Sequence, residues 1–389
     1  METLLIKNVL LDDKKVNILI EGNKFKNLDA PSGMQADKII DGEGKAILPT
    51  FFNTHTHAAM TLVRGYGDDS PLEVWLQKYI WPYEDKLTKQ DIRRGSDLAV
   101  KEMISSGTTF FSDMYFDVEQ TIDAVVESGM RAAIGITFLN GHSKAVENEK
   151  LEILKNWQDP THGRITLTID PHAVYTADAD TYRKCARICN EYGLIMHTHV
   201  AETATEVENC IKATGLSPVR YLDSIGVLGP NVVAAHCVHV DEEEWDILAK
   251  RGVTVAHCPC SNMKLSSGRF PYELAIKSGT RITIGTDGAS SNNNLDMREE
   301  MKFASLLAKV GGIPELLPAK EVLKWATRNG AEAFGYDAGE IAENKLADAI
   351  LVDMNNIRMQ PCFSLVSNWV YSADSSCIST VICDGKVIR

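Results

Sequence analysis

The chain has 389 residues, which is enough for a barrel of about 250–300 residues with an accessory domain. Its 44% hydrophobic and 24% charged residues are typical of a soluble globular protein. With 40 basic and 53 acidic residues the formal net charge is −13, which argues against nucleic acid and membranes as partners because both select for basic patches.

Composition also bears on where the protein acts. No run approaches the roughly 20 apolar residues that span a bilayer. Residues 1–22 lack a basic stretch followed by an apolar stretch and a cleavage site, so we expect no signal peptide. The nine cysteines are odd in number and are not spaced as a disulfide framework, which favours a reducing compartment. We therefore expect a cytoplasmic protein whose cysteines are mostly buried apolar residues.

The two chain ends have the pattern of short strands. Residues 1–30 alternate apolar and polar side chains around turns, and residues 347–354 and 379–389 do the same, with an Asp384-Gly385 hairpin signal. Neither end could bury a core alone. We expect them to form one small β-sandwich domain from residues 1–48 and 339–389.

The middle of the chain, residues 49–338, alternates apolar runs with helical patterns that end near a glycine. Eight runs are rich in strand-forming residues: 46–57, 107–115, 131–139, 164–176, 194–202, 231–239, 252–262 and 281–290. Eight buried strands alternating with helices predict an α/β protein with a parallel (β/α)8 TIM-type barrel. The alternative, a doubly wound open sheet, needs a Gly-rich phosphate-binding turn that the sequence lacks.

Polar side chains lie at the carboxyl ends of these runs, where barrels build their active sites. They are His55 and His57 in the first run, His172 in the fourth, His199 and Glu202 in the fifth, His236 in the sixth, His257 in the seventh and Asp287 in the eighth. A single histidine in such a place is more often a hydrogen-bonded core residue than a ligand. Eight of the ten histidines, however, lie in or at the ends of predicted strands, and this concentration predicts a metal site.

Three imidazoles and one carboxylate are the ligands that we expect: His55, His57, His199 and Asp287. A catalytic zinc site uses about three N or O ligands and keeps a position for water. A donor set without thiolate suits zinc, iron or manganese, so the donors alone leave the metal open. No lysine ends the fourth run, so a carbamylated lysine bridging two ions is not available and we predict one ion.

A bound metal ion lowers the pKa of its water from about 15.7 to about 7 and supplies hydroxide at neutral pH. Asp287 can act both as a weak ligand and as a base. Glu202 can carry the proton from water to a substrate nitrogen, or it could be a solvated carboxylate at a helix start. His236 could hydrogen-bond the attacking oxygen.

Three further histidines are expected outside the ligand set. We predict that His197 packs deeper in the barrel and that His239 lies in the loop after the sixth strand. His257 is expected at the rim, where it would hold the orientation of a ligand.

Together these residues resemble the amidohydrolase superfamily, and within it the branch of 5'-methylthioadenosine/S-adenosylhomocysteine deaminases near the chlorohydrolases. The similar segments run across almost the whole barrel: FFNTHTHAAMTLVRGYGDDSPLEVWL, PYEDKLT, DPHAVYT, HVAET, AAHCVH, HCPCSNMKL and GTDGASSNNNLDM. The resemblance implies one divalent ion, usually zinc, on the four ligands, with Glu202 and His236 as catalytic partners. It also implies a homo-oligomer that hydrolytically removes ammonia from C6 of an adenosine-type nucleoside.

Three more positions match substrate residues of this branch: Trp75, Glu84 and His172. By resemblance, Glu84 would accept hydrogen bonds from ribose hydroxyls, while Trp75 and His172 would line the nucleoside pocket together with Glu202. On the sequence alone, Trp75 could equally be a core residue of an amphipathic helix, and Glu84 could be a solvated carboxylate.

The sequence departs from the branch in two places. Members that take S-adenosylhomocysteine hold its carboxylate with arginines after the third strand, whereas residues 135–150 contain none and offer only Lys144 and Lys150. A lysine lacks the bidentate fork that suits a carboxylate, so neutral 5'-substituents are favoured, as in 5'-methylthioadenosine, 5'-deoxyadenosine or adenosine. At the end of the seventh run, in HCPCSNMKL, Cys258 replaces the asparagine that is common in the branch.

Two other functions stay open. The same site could release ammonia from guanine, cytosine or a pterin, or chloride from an s-triazine. A catalytically inactive barrel kept as a binding protein is the third possibility, but it predicts missing ligands or a missing acid/base residue, and all six are present.

Overall fold

The computed structural model describes all residues, 1–389. Its strands form two sheets of eight strands each. The N-terminal strands are β1 (Thr3–Leu11), β2 (Lys14–Glu21), β3 (Lys24–Asn27), β4 (Lys38–Asp41) and β5 (Lys45–Pro49). The middle strands are β6 (Phe51–Thr56), β7 (Thr108–Tyr115), β8 (Arg131–Phe138), β9 (Ile165–Pro171), β10 (Ile195–Val200), β11 (Val232–His236), β12 (Thr254–His257) and β13 (Arg281–Ile284). The C-terminal strands are β14 (Ala349–Asp353), β15 (Ile378–Cys383) and β16 (Lys386–Val387).

Helices connect and cover the barrel strands. They are α1 (Leu72–Trp75), α2 (Trp81–Glu84), α3 (Lys89–Ser105), α4 (Val118–Ser128), α5 (Lys144–Lys155), α6 (Ala179–Tyr192), α7 (Ala204–Thr214), α8 (Pro218–Ser224), α9 (Glu242–Arg251), α10 (Pro259–Lys264), α11 (Tyr272–Ser278), α12 (Ala289–Asn292), α13 (Met297–Lys309), α14 (Ala319–Ala326), α15 (Arg328–Ala333) and α16 (Leu365–Tyr371). A π-helical stretch, Leu76–Ile80, joins α1 to α2, and short 3-10 turns occupy Ala58–Val63, Ile357–Met359 and Ser375–Cys377. None of these helices is both long and apolar enough to cross a membrane.

Strands β6 to β13 lie side by side in chain order and pair in parallel. β13 returns to β6, because the Asp287 N–H donates to the His55 carbonyl at 3.0 Å and the Thr54 hydroxyl donates to the Ile284 carbonyl at 3.0 Å. Gly285 permits this approach, since a Cβ at that position would lie 2.8 Å from the Cβ of His55. The predicted (β/α)8 barrel is confirmed, and each of the eight predicted runs contains one barrel strand.

An apolar plug fills the amino end of the barrel. Phe52 stacks on Phe110 with ring centroids 4.9 Å apart, and Phe334, which follows α15, packs on Phe110 at 4.8 Å. A larger cluster of 64 buried residues lies mainly between the strands and the surrounding helices. The carboxyl ends of the strands open into a cleft, which is where barrel active sites lie.

The second sheet combines both chain ends in the order β16-β15-β14-β5-β1-β2-β3, with β4 also paired to β1. β5 pairs antiparallel with β14, which joins the N-terminal and C-terminal segments. The predicted small β-domain from both ends is thereby confirmed. β1 pairs antiparallel with β2 and in parallel with β4 and β5, so the sheet is mixed. The domain bounds 1–48, 49–338 and 339–389 stay a prediction.

The first predicted run, residues 46–57, belongs to both sheets. Its first part lies in β5 and pairs with β14, and the barrel strand begins at Phe51. Pro49 has no N–H to continue a ladder, so the chain can leave one sheet here and enter the other. The sequence pattern did not show this break because both segments are apolar.

A buried ion pair joins the barrel to the terminal sheet. Arg131 at the start of β8 donates from Nε to Asp348 at 2.9 Å and from a terminal nitrogen to Asp384 at 2.6 Å. The side chains of Arg131 and Asp348 are 2% and 0% exposed. The guanidinium also lies 5.4 Å from the centroid of the Tyr336 ring.

Replacing Arg131 by methionine should lower the free energy of unfolding by about 3–5 kcal/mol, because Asp348 would keep a buried charge without its partner. Urea unfolding followed by circular dichroism measures this loss. Arg251→Met is the matched control, because the ion pair between Arg251 and Asp223 is half-exposed and its loss should leave the unfolding midpoint nearly unchanged. Equal losses in the two variants would contradict the expectation.

Candidate active site

The four predicted ligands converge at the open end of the barrel. His55 and His57 lie at the end of β6, His199 lies in β10, and Asp287 follows β13. Asp287 Oδ1 lies 3.2 Å from His57 Nε2 and 3.6 Å from His55 Nε2. The donor atoms of the three imidazoles lie within 4.8 Å of one another. Donor atoms at this spacing can close around one ion.

Each of the three imidazoles uses Nδ1 for a bond within the protein. His57 Nδ1 donates to the Met114 carbonyl at 2.6 Å, and His199 Nδ1 donates to the His172 carbonyl at 2.7 Å. His55 Nδ1 lies 3.0 Å from His197 Nε2. His55 Nε2 is buried and has no hydrogen-bond partner. A protonated Nδ1 leaves a bare Nε2, the form in which histidine binds a metal, so the donor set fits a divalent ion.

The electrostatics of the cluster favour a cation at the same place. Burial lowers the pKa of His55 to about 4 and lowers the pKa of His199 far below its usual range. Burial also lowers the pKa of His57, but hydrogen bonding and the charge of Asp287 outweigh it and raise this pKa to about 9. The imidazoles hold the pKa of Asp287 well below its usual range in spite of burial. Positive charge is thus favoured between His57 and Asp287.

Glu202 and His236 face each other beside the predicted ligands. Glu202 Oε2 lies 3.8 Å from His236 Nε2, and the Ser267 hydroxyl donates to Glu202 Oε1 at 3.2 Å. His236 Nδ1 donates to the Asn262 amide oxygen at 2.8 Å, so its Nε2 is free for the cleft. Burial raises the pKa of Glu202. A carboxyl in this place can accept a proton and deliver it to a neighbouring group.

His236 also lies close to two of the predicted ligands, because its donor atom, that of His55 and that of Asp287 all lie within 4.8 Å of one another. Asp287 is held at both oxygens: the Ser261 hydroxyl donates to Oδ2 at 2.6 Å, and the Gly288 N–H donates to Oδ1 at 2.7 Å. These bonds fix the direction in which Asp287 faces the imidazoles.

The backbone is left-handed where three of the strands end at the site. Ala201, His236, Cys237 and Asp287 have φ of 50°, 73°, 49° and 61°. Such a conformation is rare for residues other than glycine and costs on the order of 1–3 kcal/mol. It persists where the surroundings hold it, and it turns Glu202, His236 and Asp287 towards one another.

A cleft lies above the four predicted ligands, and all three predicted substrate residues line it. Trp75 is buried, and its indole N–H donates to the Tyr66 carbonyl at 3.2 Å. His172 lies with its ring centroid 4.6 Å from that of His199. Glu84 accepts a hydrogen bond at Oε1 from the Tyr115 hydroxyl at 2.7 Å, which leaves Oε2 available to the cleft.

The remaining histidines do not face the cleft. His197 stands behind His55 and contacts the Ser112 hydroxyl through Nδ1 at 3.2 Å. His239 lies in the loop after β11 and bonds to the Ser267 carbonyl. The expectation that His257 orients a ligand is wrong, because its ring stacks on Phe270 at 4.1 Å and bonds to the Tyr272 hydroxyl at 2.8 Å. Inward-facing Ala256 precedes it in β12, so the alternation of the strand turns His257 outward.

Several contacts of the site were not foreseen from the sequence: those of Tyr115 with Glu84, Ser261 with Asp287, Asn262 with His236, and Ser267 with Glu202. Ser261 and Asn262 lie inside the HCPCSNMKL segment, which was the available signal. Cys258, by contrast, is buried, and its thiol bonds only to the Ala256 carbonyl.

Known proteins are similar to this chain over nearly its whole length. A sequence model described as "Amidohydrolase family" matches residues 46–388. The 5-methylthioadenosine/S-adenosylhomocysteine deaminase 1 of Archaeoglobus fulgidus is 45% identical over 99% of this chain and 93% of its own. The 5'-deoxyadenosine deaminase of Methanosarcina mazei is 42% identical over 100% and 93%. A crystal structure of an adenosine deaminase from Xanthomonas campestris with bound zinc superposes with a TM-score of 0.93 at 30% identity, covering 99% and 92%. The chain therefore belongs to the amidohydrolase family.

Proposed function

We propose that the protein is a metal-dependent aminohydrolase that converts an adenosine-type nucleoside into the inosine-type product and ammonia. The observation that carries this proposal is the convergence of three free imidazole nitrogens and Asp287 beneath a cleft that also presents Glu202 and His236. Relatives named as deaminases of such nucleosides, at 42–45% identity over the whole chain, support the same reaction.

His55, His57, His199 and Asp287 would hold one divalent ion, for which we propose zinc because the adenosine deaminase of similar structure contains it. The ion would lower the pKa of water to about 7 and supply hydroxide at neutral pH. Iron and manganese suit the same nitrogen and oxygen donors.

The protein's own groups would move the protons. As water adds to C6 of the ring, Glu202 would take one proton from the water. Glu202 would then deliver that proton to the ring nitrogen beside C6. Asp287 takes the second proton and passes it to the amino group, the C6–N bond breaks, and ammonia leaves. His236 would hydrogen-bond the attacking oxygen through Nε2, which its bond to Asn262 keeps turned to the site.

The cleft would recognise the nucleoside in two parts. Glu84, oriented by Tyr115, would accept hydrogen bonds from ribose hydroxyls, and this favours nucleosides over free bases or triazines. Trp75 and His172 would line the base and sugar. We also propose that the protein is a homo-oligomer in the cytoplasm and that its substrate is a small molecule.

The lining of the cleft favours neutral 5'-substituents. Its apolar side chains include Leu72, Leu76, Phe116 and Leu139, and no lysine or arginine lines it. The Lys150 ammonium bonds to the carbonyl of Thr137 and lies 5.5 Å from the centroid of the Phe138 ring, outside the cleft. The charged amino-acid tail of S-adenosylhomocysteine would therefore lose water without gaining a cationic partner.

Steady-state kinetics with ammonia release as the readout test the reaction and the 5'-preference together. We expect turnover of 5'-methylthioadenosine, 5'-deoxyadenosine and adenosine, with kcat/KM for S-adenosylhomocysteine roughly tenfold or more below the best of them, because its charges would be unpaired. S-adenosylhomocysteine as the best substrate would contradict the 5'-preference. Turnover of guanine or an s-triazine, without any adenosine derivative, would contradict the nucleoside proposal.

Glu84→Gln should raise KM for adenosine about 10–100-fold with little change in kcat, because a hydrogen bond to a charged group contributes about 1.5–3 kcal/mol. The matched control is Asp85→Asn, since Asp85 is exposed and is not part of the cleft. Initial-rate kinetics on both variants measure the effect. A Glu84 variant with unchanged KM, or a control with the same rise, would count against ribose recognition by Glu84.

A further inference from the structure

Glu206 is a buried carboxylate that the proposed reaction does not use. It lies in the first turn of α7, is 6% exposed and forms no ion pair. Its two oxygens accept hydrogen bonds from two consecutive backbone N–H groups: Oε1 from Ala201 at 2.9 Å and Oε2 from Glu202 at 2.7 Å. Burying a carboxylate is costly unless it is hydrogen-bonded, so these two N–H groups are what make the buried position of Glu206 tolerable.

Helix capping alone does not explain it. In a capping box, the acidic side chain at the third helical position reaches back to the N–H of the capping residue. α9 shows this pattern, because Glu244 accepts from the N–H of its capping residue Asp241 at 3.0 Å. In α7 the capping residue is Thr203, yet Glu206 reaches past it to Ala201 and Glu202.

The two N–H groups belong to the turn that delivers Glu202 to the site. Ala201 has a φ of 50°, so the chain bends sharply between β10 and Glu202. The Ala201 carbonyl accepts from the N–H groups of Val238 and His239 at 3.1 and 2.9 Å, which links this turn to the segment directly after His236. The two hydrogen bonds that Glu206 accepts therefore hold the backbone segment on which the 3.8 Å distance between Glu202 Oε2 and His236 Nε2 depends.

We propose that Glu206 is a positioning residue that clamps the backbone of the Ala201–Glu202 turn and thereby holds the Glu202 carboxyl in its proton-carrying position. A carboxylate suits this task because each of its oxygens can accept one N–H, whereas an amide offers one acceptor and would set its NH2 against the other N–H. The proposal rests on the proposed function, in which Glu202 carries protons.

A double-mutant cycle with Glu206→Gln and Glu202→Gln tests the proposal. Glu206→Gln should lower kcat/KM about 10–100-fold, because a displacement of the Glu202 carboxyl by about 1 Å can reduce the rate by that factor. When Glu202→Gln is already present, Glu206→Gln should lower kcat/KM by less than about threefold further, because the carboxyl through which Glu206 acts is gone. Metal content per chain should be unchanged, and hydrogen exchange at the amides of Ala201 and Glu202 should be faster. Glu208→Gln, an exposed carboxyl on the same helix, is the matched control and should behave as the wild type.

The outcomes separate the two claims. A full additional loss from Glu206→Gln in the Glu202→Gln background, or wild-type activity of Glu206→Gln, would overturn the positioning role alone. Wild-type activity of Glu202→Gln would overturn Glu202 as the proton carrier under the proposed function. Glu206→Asp keeps the charge but is too short to reach both N–H groups, so it should reproduce the loss if the amide variant does not fold. Failure of both variants to fold would assign Glu206 to folding and overturn the proposal.

Discussion

Buried imidazoles must satisfy both ring nitrogens, and this requirement organises the site. Nδ1 of His57 and Nδ1 of His199 donate to backbone carbonyls. Nδ1 of His55 hydrogen-bonds to His197, which in turn contacts the Ser112 hydroxyl. Three Nε2 atoms then remain, in a space that Asp287 also enters. An arrangement that leaves buried nitrogen lone pairs facing one another is unfavourable unless a cation fills the gap.

The barrel supplies the directions that the site needs. Because all eight strands run in parallel, their carboxyl ends meet at one rim, and residues far apart in the chain come within hydrogen-bond distance. Residues with a left-handed backbone conformation then turn the chain inward after β10, at the end of β11 and after β13. Each bend is held by bonds from elsewhere, such as Glu206 at Ala201 and Ser261 at Asp287. Strain at the strand ends and the side chains that hold it are therefore parts of one arrangement.

The sequence predicted the barrel and the convergence of His55, His57, His199 and Asp287 because both depend on position along a strand. Apolar runs with helices between them fix the parallel topology, and a polar residue at the end of a run must lie at the rim. What could not be predicted depends on register and on backbone atoms. The Nδ1 partners of His57 and His199 are carbonyls, which any residue could supply. Packing decides on which side of β12 His257 lies, and it also decides that the chain changes sheets at Pro49. The pattern of apolar residues shows neither.

Anomalous diffraction at the zinc edge, on crystals grown with zinc, would show whether one ion binds between His55, His57, His199 and Asp287. We expect one strong peak in the barrel mouth, about 2.0–2.2 Å from Nε2 of His55, His57 and His199 and from a carboxylate oxygen of Asp287. No peak at that place, or a second peak of equal strength beside it, would contradict a single metal ion held by these four side chains.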